Sequence, residues 1–167
     1  NGCIGPDMTF TLTVNPVPIV DALPSIDTCS GTLLSISFTG TATQYNWTND
    51  NTTIGLGASG TGTFDFTTLN TGTSSELATV AVTPGYLLNN LLCPGSIETF
   101  TITVQPVPHV LPLQDQTICN GDQTQLVSFG SDVLGTSYTW TNDNPQIGLS
   151  STGSQDIPSF TGTNSGN

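Results

Sequence analysis

The sequence contains no lysine and no arginine, and it has a single histidine and a single methionine. Against these absences stand 12 acidic residues, a formal charge of −12 over 167 positions. Nucleic-acid binding needs cationic groups that displace counterions from phosphate, and none are present. Attraction to anionic membrane surfaces fails on the same sign argument. Salt bridges to basic side chains contribute nothing, so burial, backbone pairing, disulfides or bound cations must hold the fold. The missing bases also remove every trypsin site, and without lysine no Lys–Asn isopeptide cross-link can form. A charge of this size favours solubility and repulsion between neighbours.

Long apolar runs are absent too: none approaches the roughly 20 residues of a transmembrane helix. No sustained helical stripe occurs. What is present is a set of short runs in which apolar or β-branched residues alternate with polar ones, as half-buried strands require. Leu33–Phe38, Tyr45-Asn46-Trp47, Thr63–Phe66, Ala78–Val82 and Phe100–Val104 are the clearest, each bounded by Gly, Pro, Asn or Ser.

The second positive feature is an internal repeat. Residues 1–20 match residues 91–110 without a gap: Thr9-Phe10-Thr11-Leu12-Thr13-Val14 returns as Thr99-Phe100-Thr101-Ile102-Thr103-Val104, and Pro16-Val17-Pro18 as Pro106-Val107-Pro108. Tyr45-Asn46-Trp47-Thr48-Asn49-Asp50-Asn51 likewise returns as Tyr138-Thr139-Trp140-Thr141-Asn142-Asp143-Asn144, and Ile54-Gly55-Leu56 as Ile147-Gly148-Leu149. Self-similarity at a fixed period marks an array of modules. One complete module is expected over 21–110. Residues 1–20 read as the last strand and linker of a preceding module, and 111–167 as the front of a following one.

About seven strands in about 90 residues read as an antiparallel, immunoglobulin-like β-sandwich. The pattern places a first strand near Pro18–Leu23 continuing to Thr28, then strands at Leu33–Phe38, Gln44–Thr48, Ile54–Leu56, Thr63–Thr67, Ala78–Thr83 and Glu98–Val104. Trp47 and Trp140 then fall on the third strand of their modules, as central core aromatics. An exposed stacking platform for sugars is the alternative reading.

The Tyr45–Asn51 and Ile54–Leu56 motifs, the Cys29-Ser30-Gly31 turn and the Phe100–Pro108 exit strand together resemble a known family. They are similar to the PKD-like repeats of very large surface proteins of Bacteroidota, including gliding-motility adhesins exported by the type IX secretion system. In typical PKD domains the tryptophan is followed by Asp and a Gly-Asp-Gly turn, where Thr48-Asn49-Asp50-Asn51 stands here. The resemblance implies a fold, an extracellular or cell-surface address and a spacer or adhesive role, with no catalytic residues.

The residues themselves argue against an enzyme. His109 sits in the Val-Pro linker, where the other copy has Ile19, and no module contains a histidine for a Ser/His/Asp or Cys/His set. Asp50 and Asp143 recur, but one carboxylate per module makes no dyad. The turns Asn49-Asp50-Asn51 and Asn142-Asp143-Asn144 offer side-chain oxygens that could hold Ca²⁺, although Asn and Asp are also ordinary turn formers. Asn46-Trp47-Thr48 and Asn51-Thr52-Thr53 match the glycosylation sequon.

Four cysteines, Cys3, Cys29, Cys93 and Cys119, are disulfide candidates. Cys29 and Cys119 precede the second strand of a module, whereas Cys3 and Cys93 precede the last. In the expected topology those positions lie at opposite ends, roughly 17–20 Å apart, beyond the ~7 Å Cα limit of a bridge. Bridges between successive modules suit the geometry better; free thiols and a rearranged topology stay open.

The functional expectation is a structural segment of an extracellular stalk, filament or giant adhesin, with neighbouring modules or copies of the chain as partners in a head-to-tail fibre. A glycan- or surface-binding module, with or without Ca²⁺, is the alternative, followed by an accessory domain of a secreted polysaccharide-degrading enzyme. Residues 8–14, through Phe10, Leu12 and Val14, are expected to pack as the last strand of a module completed by a chain copy or by preceding sequence.

Overall fold

Residues whose side chains alternate between β-branched and small polar types fold here as strands, because each strand can then bury one face and solvate the other. The computed structural model describes residues 2, 5–88 and 91–166. Eight strands lie between residues 26 and 105: β1 (Ile26–Cys29), β2 (Leu33–Ile36), β3 (Gln44–Asn49), β4 (Ser59–Thr61), β5 (Phe64–Thr67), β6 (Glu76–Leu88), β7 (Leu91–Pro94) and β8 (Glu98–Gln105). Two more, β9 (Thr139–Thr141) and β10 (Thr152–Ser154), follow in the later part of the chain. The protein is all-β, and the described residues contain only two single-turn 3-10 segments besides strands.

The larger sheet has the order β1-β8-β6-β3-β4, with β7 on the far half of β6. β1 runs parallel to β8, with Ile26 opposite Ile102 and Cys29 opposite Gln105; the other ladders are antiparallel. β6 passes from β8, its partner up to Val82↔Glu98, to β7, its partner from Gly85↔Pro94. Pro84 sits at that handover, where its missing N–H costs no ladder bond.

β2 and β5 form a separate antiparallel pair. Their Ile36 and Phe66 join Trp47, Val80, Val82, Phe100, Ile102 and Val104 of the larger sheet in one buried cluster. Trp47 meets Phe64 with ring centroids 4.5 Å apart. On β6 and β8 the inward set Ala78, Val80, Val82, Phe100, Ile102 and Val104 is almost wholly buried, so the period-2 pattern of these strands reports a real face.

The later region repeats this framework in outline. Trp140 pairs with Gly153 as Trp47 pairs with Gly60. Bridges Gln123↔Thr161 and Val127↔Ile157 stand where the first unit has the β2–β5 ladder. Gly121 N–H donates to Gly162 O as Gly31 N–H donates to Thr68 O. Gly55 and Gly148 both hold a left-handed φ, +93° and +97°, with the carbonyl of Thr67 or Thr161 lying where a Cβ would go. Yet of residues 111–166 only Gly162 is buried. No counterpart of β6 or β8 packs on this region among the described residues.

Several expected boundaries move. The fourth strand is not Ile54–Leu56: Thr52–Ile54 is a 3-10 turn and the strand lies at Ser59–Thr61. Asn51 caps that turn, accepting from Thr53 N, and the Asx cap outcompetes extended pairing. The expected first strand is reduced to a bridge, Val20↔Gly40, followed by β1. β2 stops at Ile36 instead of Phe38. β6 runs to Leu88 instead of Thr83, and β7 is an added strand between it and β8. Residues 5–19 carry no strand pairing.

Candidate functional site

The two Asn-Asp-Asn turns follow the tryptophan strands, and in the first of them each side chain is held by backbone. Asn49 is buried. Its Nδ2 donates to the carbonyls of Asn51, Leu56 and Gly57 at 3.0, 3.0 and 3.3 Å, and its Oδ1 accepts from Asn51 N. Asp50 Oδ1 accepts from Thr79 N at 2.6 Å, while its own N–H donates to Thr79 O, which extends the β3–β6 pairing by one step. Asn51 Oδ1 accepts from Thr53 N, and its Nδ2 reaches Glu76 Oε2 and Leu77 O.

The second turn keeps the inner part of this arrangement. Asn142 Nδ2 donates to Leu149 O at 2.9 Å and its Oδ1 accepts from Asn144 N. Asn144 makes no side-chain cap to the turn at Pro145–Ile147. Among the described residues, no three His, Cys, Asp or Glu side chains converge as metal ligands.

Trp47 is 7% exposed and belongs to the core cluster. Trp140 is half-buried. In both, the indole N–H is shielded and has no hydrogen-bond partner. Cys29, Cys93 and Cys119 carry free thiols, and Cys3 lies outside the described residues. Cys29 sits beside Gln105 at the end of β8, whereas Cys93 pairs with Tyr86 beyond its start. The eight residues of β8 separate the two by roughly 26 Å at ~3.3 Å per residue.

His109 N donates to Asp132 Oδ1 at 2.9 Å, and its ring Nδ1 lies 3.1 Å from Oδ2. These bonds, the backbone one foremost, hold the Asp132 carboxyl below its ordinary range. Asp156 is also lowered, first by the Ser128 hydroxyl at 2.6 Å and then by Phe129 N at 2.9 Å. Neither position stood out in the sequence, because both partners come from distant segments.

An apolar groove of about 560 Å³ lies on residues 113–164, lined by Leu113, Ile118, Val127, Ile147, Leu149, Ile157 and Phe160 among others. Its signal was available in the repeat: Ile147 and Leu149 stand for Ile54 and Leu56, which are buried in the first unit. Ile54 is 0% exposed and Ile147 38%. The groove is therefore lined in part by the repeat counterparts of residues that are buried earlier in the chain.

No family model matches the chain, and no curated protein matches it significantly in sequence.

Proposed function

We propose that the chain is a structural repeat segment of an extracellular stalk, filament or large surface adhesin, built from tandem immunoglobulin-like β-sandwich units of the PKD-like kind. One observation carries the reading: the same framework recurs in series. Trp47/Gly60, Asn49/Leu56 and Gly31/Thr68 in the first unit return as Trp140/Gly153, Asn142/Leu149 and Gly121/Gly162 in the second. What repeats is scaffolding, namely a core tryptophan, an amide lock and a turn, and the thiols and carboxylates that recur with it (Cys29/Cys119 and Asp50/Asp143) stand singly in each unit. Units in series whose shared parts are all structural extend a chain in one direction. The Val-Pro connector between them is short and stiff.

Composition supports an extracellular address. A chain at −12 with no lysine or arginine stays soluble, repels its neighbours and offers trypsin-like proteases nothing to cut. The partners on this reading are neighbouring modules or copies of the same protein, and we assign it no catalytic role.

Electron microscopy of the native material, labelled with an antibody raised against residues 21–110, tests this. Label along thin rods projecting from intact cells is the expected result. Label confined to the cytoplasm, or to compact particles, refutes it.

A further inference from the structure

His109 is the only side chain of the sequence able to carry a positive charge, and it stands in the connector between the first unit and the later region. The first unit holds this connector as far as Pro106. Gln105 is the register partner of Cys29, its carbonyl accepts from Ser30 N at 2.9 Å, and Pro106 is buried. The later region takes hold again at His109. Asp132 Oδ1 accepts from His109 N at 2.9 Å, and Oδ2 lies 3.1 Å from the ring Nδ1. Val110 then bridges Ser131, and Leu111 N donates to Gly130 O at 2.9 Å.

Val107 and Pro108 alone lie between the two holds, and both are exposed. Pro108 fixes its own φ and confines the residue before it to extended backbone. The joint therefore keeps few soft dihedrals for as long as His109 is held.

The matching position of the repeat is held in another way. Ile19 N donates to Thr41 Oγ1 at 3.1 Å, and Thr41 N returns a bond to Ile19 O at 3.1 Å. Where that copy sets an aliphatic residue against a neutral hydroxyl, the connector sets an imidazole against a carboxylate, so both members of the pair differ together. The cysteines of the two copies stand 90 positions apart and the tryptophans 93. The later copy thus has extra residues between them, in the stretch that carries Asp132. A hydroxyl offers one oxygen. The carboxylate has two, and takes the backbone N–H on one while the ring faces the other. Bonds to an ionised acceptor are the stronger kind, and both the Nδ1–H tautomer and the imidazolium can donate to it.

We propose that His109 and Asp132 form a strap that locks the connector onto the later region and confines bending of the joint to Val107 and Pro108. With the strap open, His109 adds its own φ and ψ to the joint and the parts on either side swing more widely. The inference rests on the reading of the chain as a repeat segment, and it names the pair that keeps such a segment straight.

Amide hydrogen exchange of the full chain reads the strap directly. The His109 amide should be protected, and Asp132→Ala should speed its exchange by roughly 5–10-fold, the effect of one surface hydrogen bond to a charged acceptor. His109→Ile, which installs the residue of the other copy, removes the ring but keeps the backbone bond, so most of that protection should remain. Pulsed electron paramagnetic resonance reads the joint. With the native cysteines replaced by serine, spin labels go on Thr99→Cys and Ser151→Cys, both at exposed positions. A narrow distance distribution is expected with the strap intact, a somewhat broader one with His109→Ile and the broadest with Asp132→Ala. An unprotected His109 amide, or a distribution equally broad with and without the strap, overturns the proposal. Either result leaves the repeat-segment reading standing, which the labelling of native material reads separately.

Discussion

Gly60 and Trp47 are register partners across β3 and β4, and the indole lies so close over the glycine that a Cβ there would overlap ring atoms Cζ2 and Cε2. Gly153 and Trp140 repeat the relationship. A glycine is needed at each place because the tryptophan ring occupies the volume of the missing side chain. It lets a large aromatic lie flat on the sheet while its other face meets Phe64.

Gly60→Val should therefore force the indole out of its position and lower stability by about 3 kcal/mol, an overpacking cost. Gly57→Ala, with open space around it, should stay within about 0.5 kcal/mol. Urea denaturation of both variants checks the contrast; equal effects would show that the indole contact does not constrain the sheet.

Asn49→Asp should be more damaging than Asn49→Ala. The amide donates to three carbonyls from a buried position. Alanine leaves those carbonyls short of a donor, at about 2 kcal/mol; aspartate sets a carboxylate oxygen against them and should cost more. Equilibrium unfolding ranks the two, and the reverse order would mean that the amide is not the lock of this turn.

Chelation should leave the melting temperature unchanged. The side-chain oxygens of Asn49, Asp50 and Asn51 each already accept from a backbone N–H, which commits the turn to its own chain. A fall in melting temperature with chelator that Asp50→Ala abolishes would assign Ca²⁺ to these turns instead.

Asp156 should make the later part of the chain acid-sensitive. Its carboxyl is held below the ordinary aspartate value of 3.8 by Ser128 and Phe129. A lowered folded value means a contribution fully present above 3.8 and lost as the pH falls through the lower folded value. The native chain should thus lose more stability than Asp156→Asn between neutral pH and pH 2. Parallel melting curves of the two proteins across that range would sink the assignment. The variant comparison matters because neutralising a chain at −12 also relieves repulsion, which acts in the opposite sense.

The all-β class was legible in the sequence because it depends on local pattern. The inward residues of β6 and β8 alternate with outward threonines over a long stretch, and alternation of that kind has only one solution in backbone geometry. The repeat was legible for the same reason: identity is visible without coordinates. Boundaries were less so. Ile54-Gly55-Leu56 reads as a strand by composition, but Asn51 and the left-handed Gly55 close a 3-10 turn over it.

The sequence alone determined the charge and its exclusions, the strand class and the register of one copy on the other, since these follow from residue identity and spacing. Tertiary structure decided which copy of a duplicated strand is used. Phe10-Thr11-Leu12 and Phe100-Thr101-Ile102 are nearly the same peptide, yet one is bare and the other sits in the core. The difference is the partner: β8 has β6 and β1 on its two sides, and residues 9–14 have neither. A strand's hydrogen bonds and buried face belong to its neighbours, so its state is fixed by long-range pairing that a local pattern cannot encode.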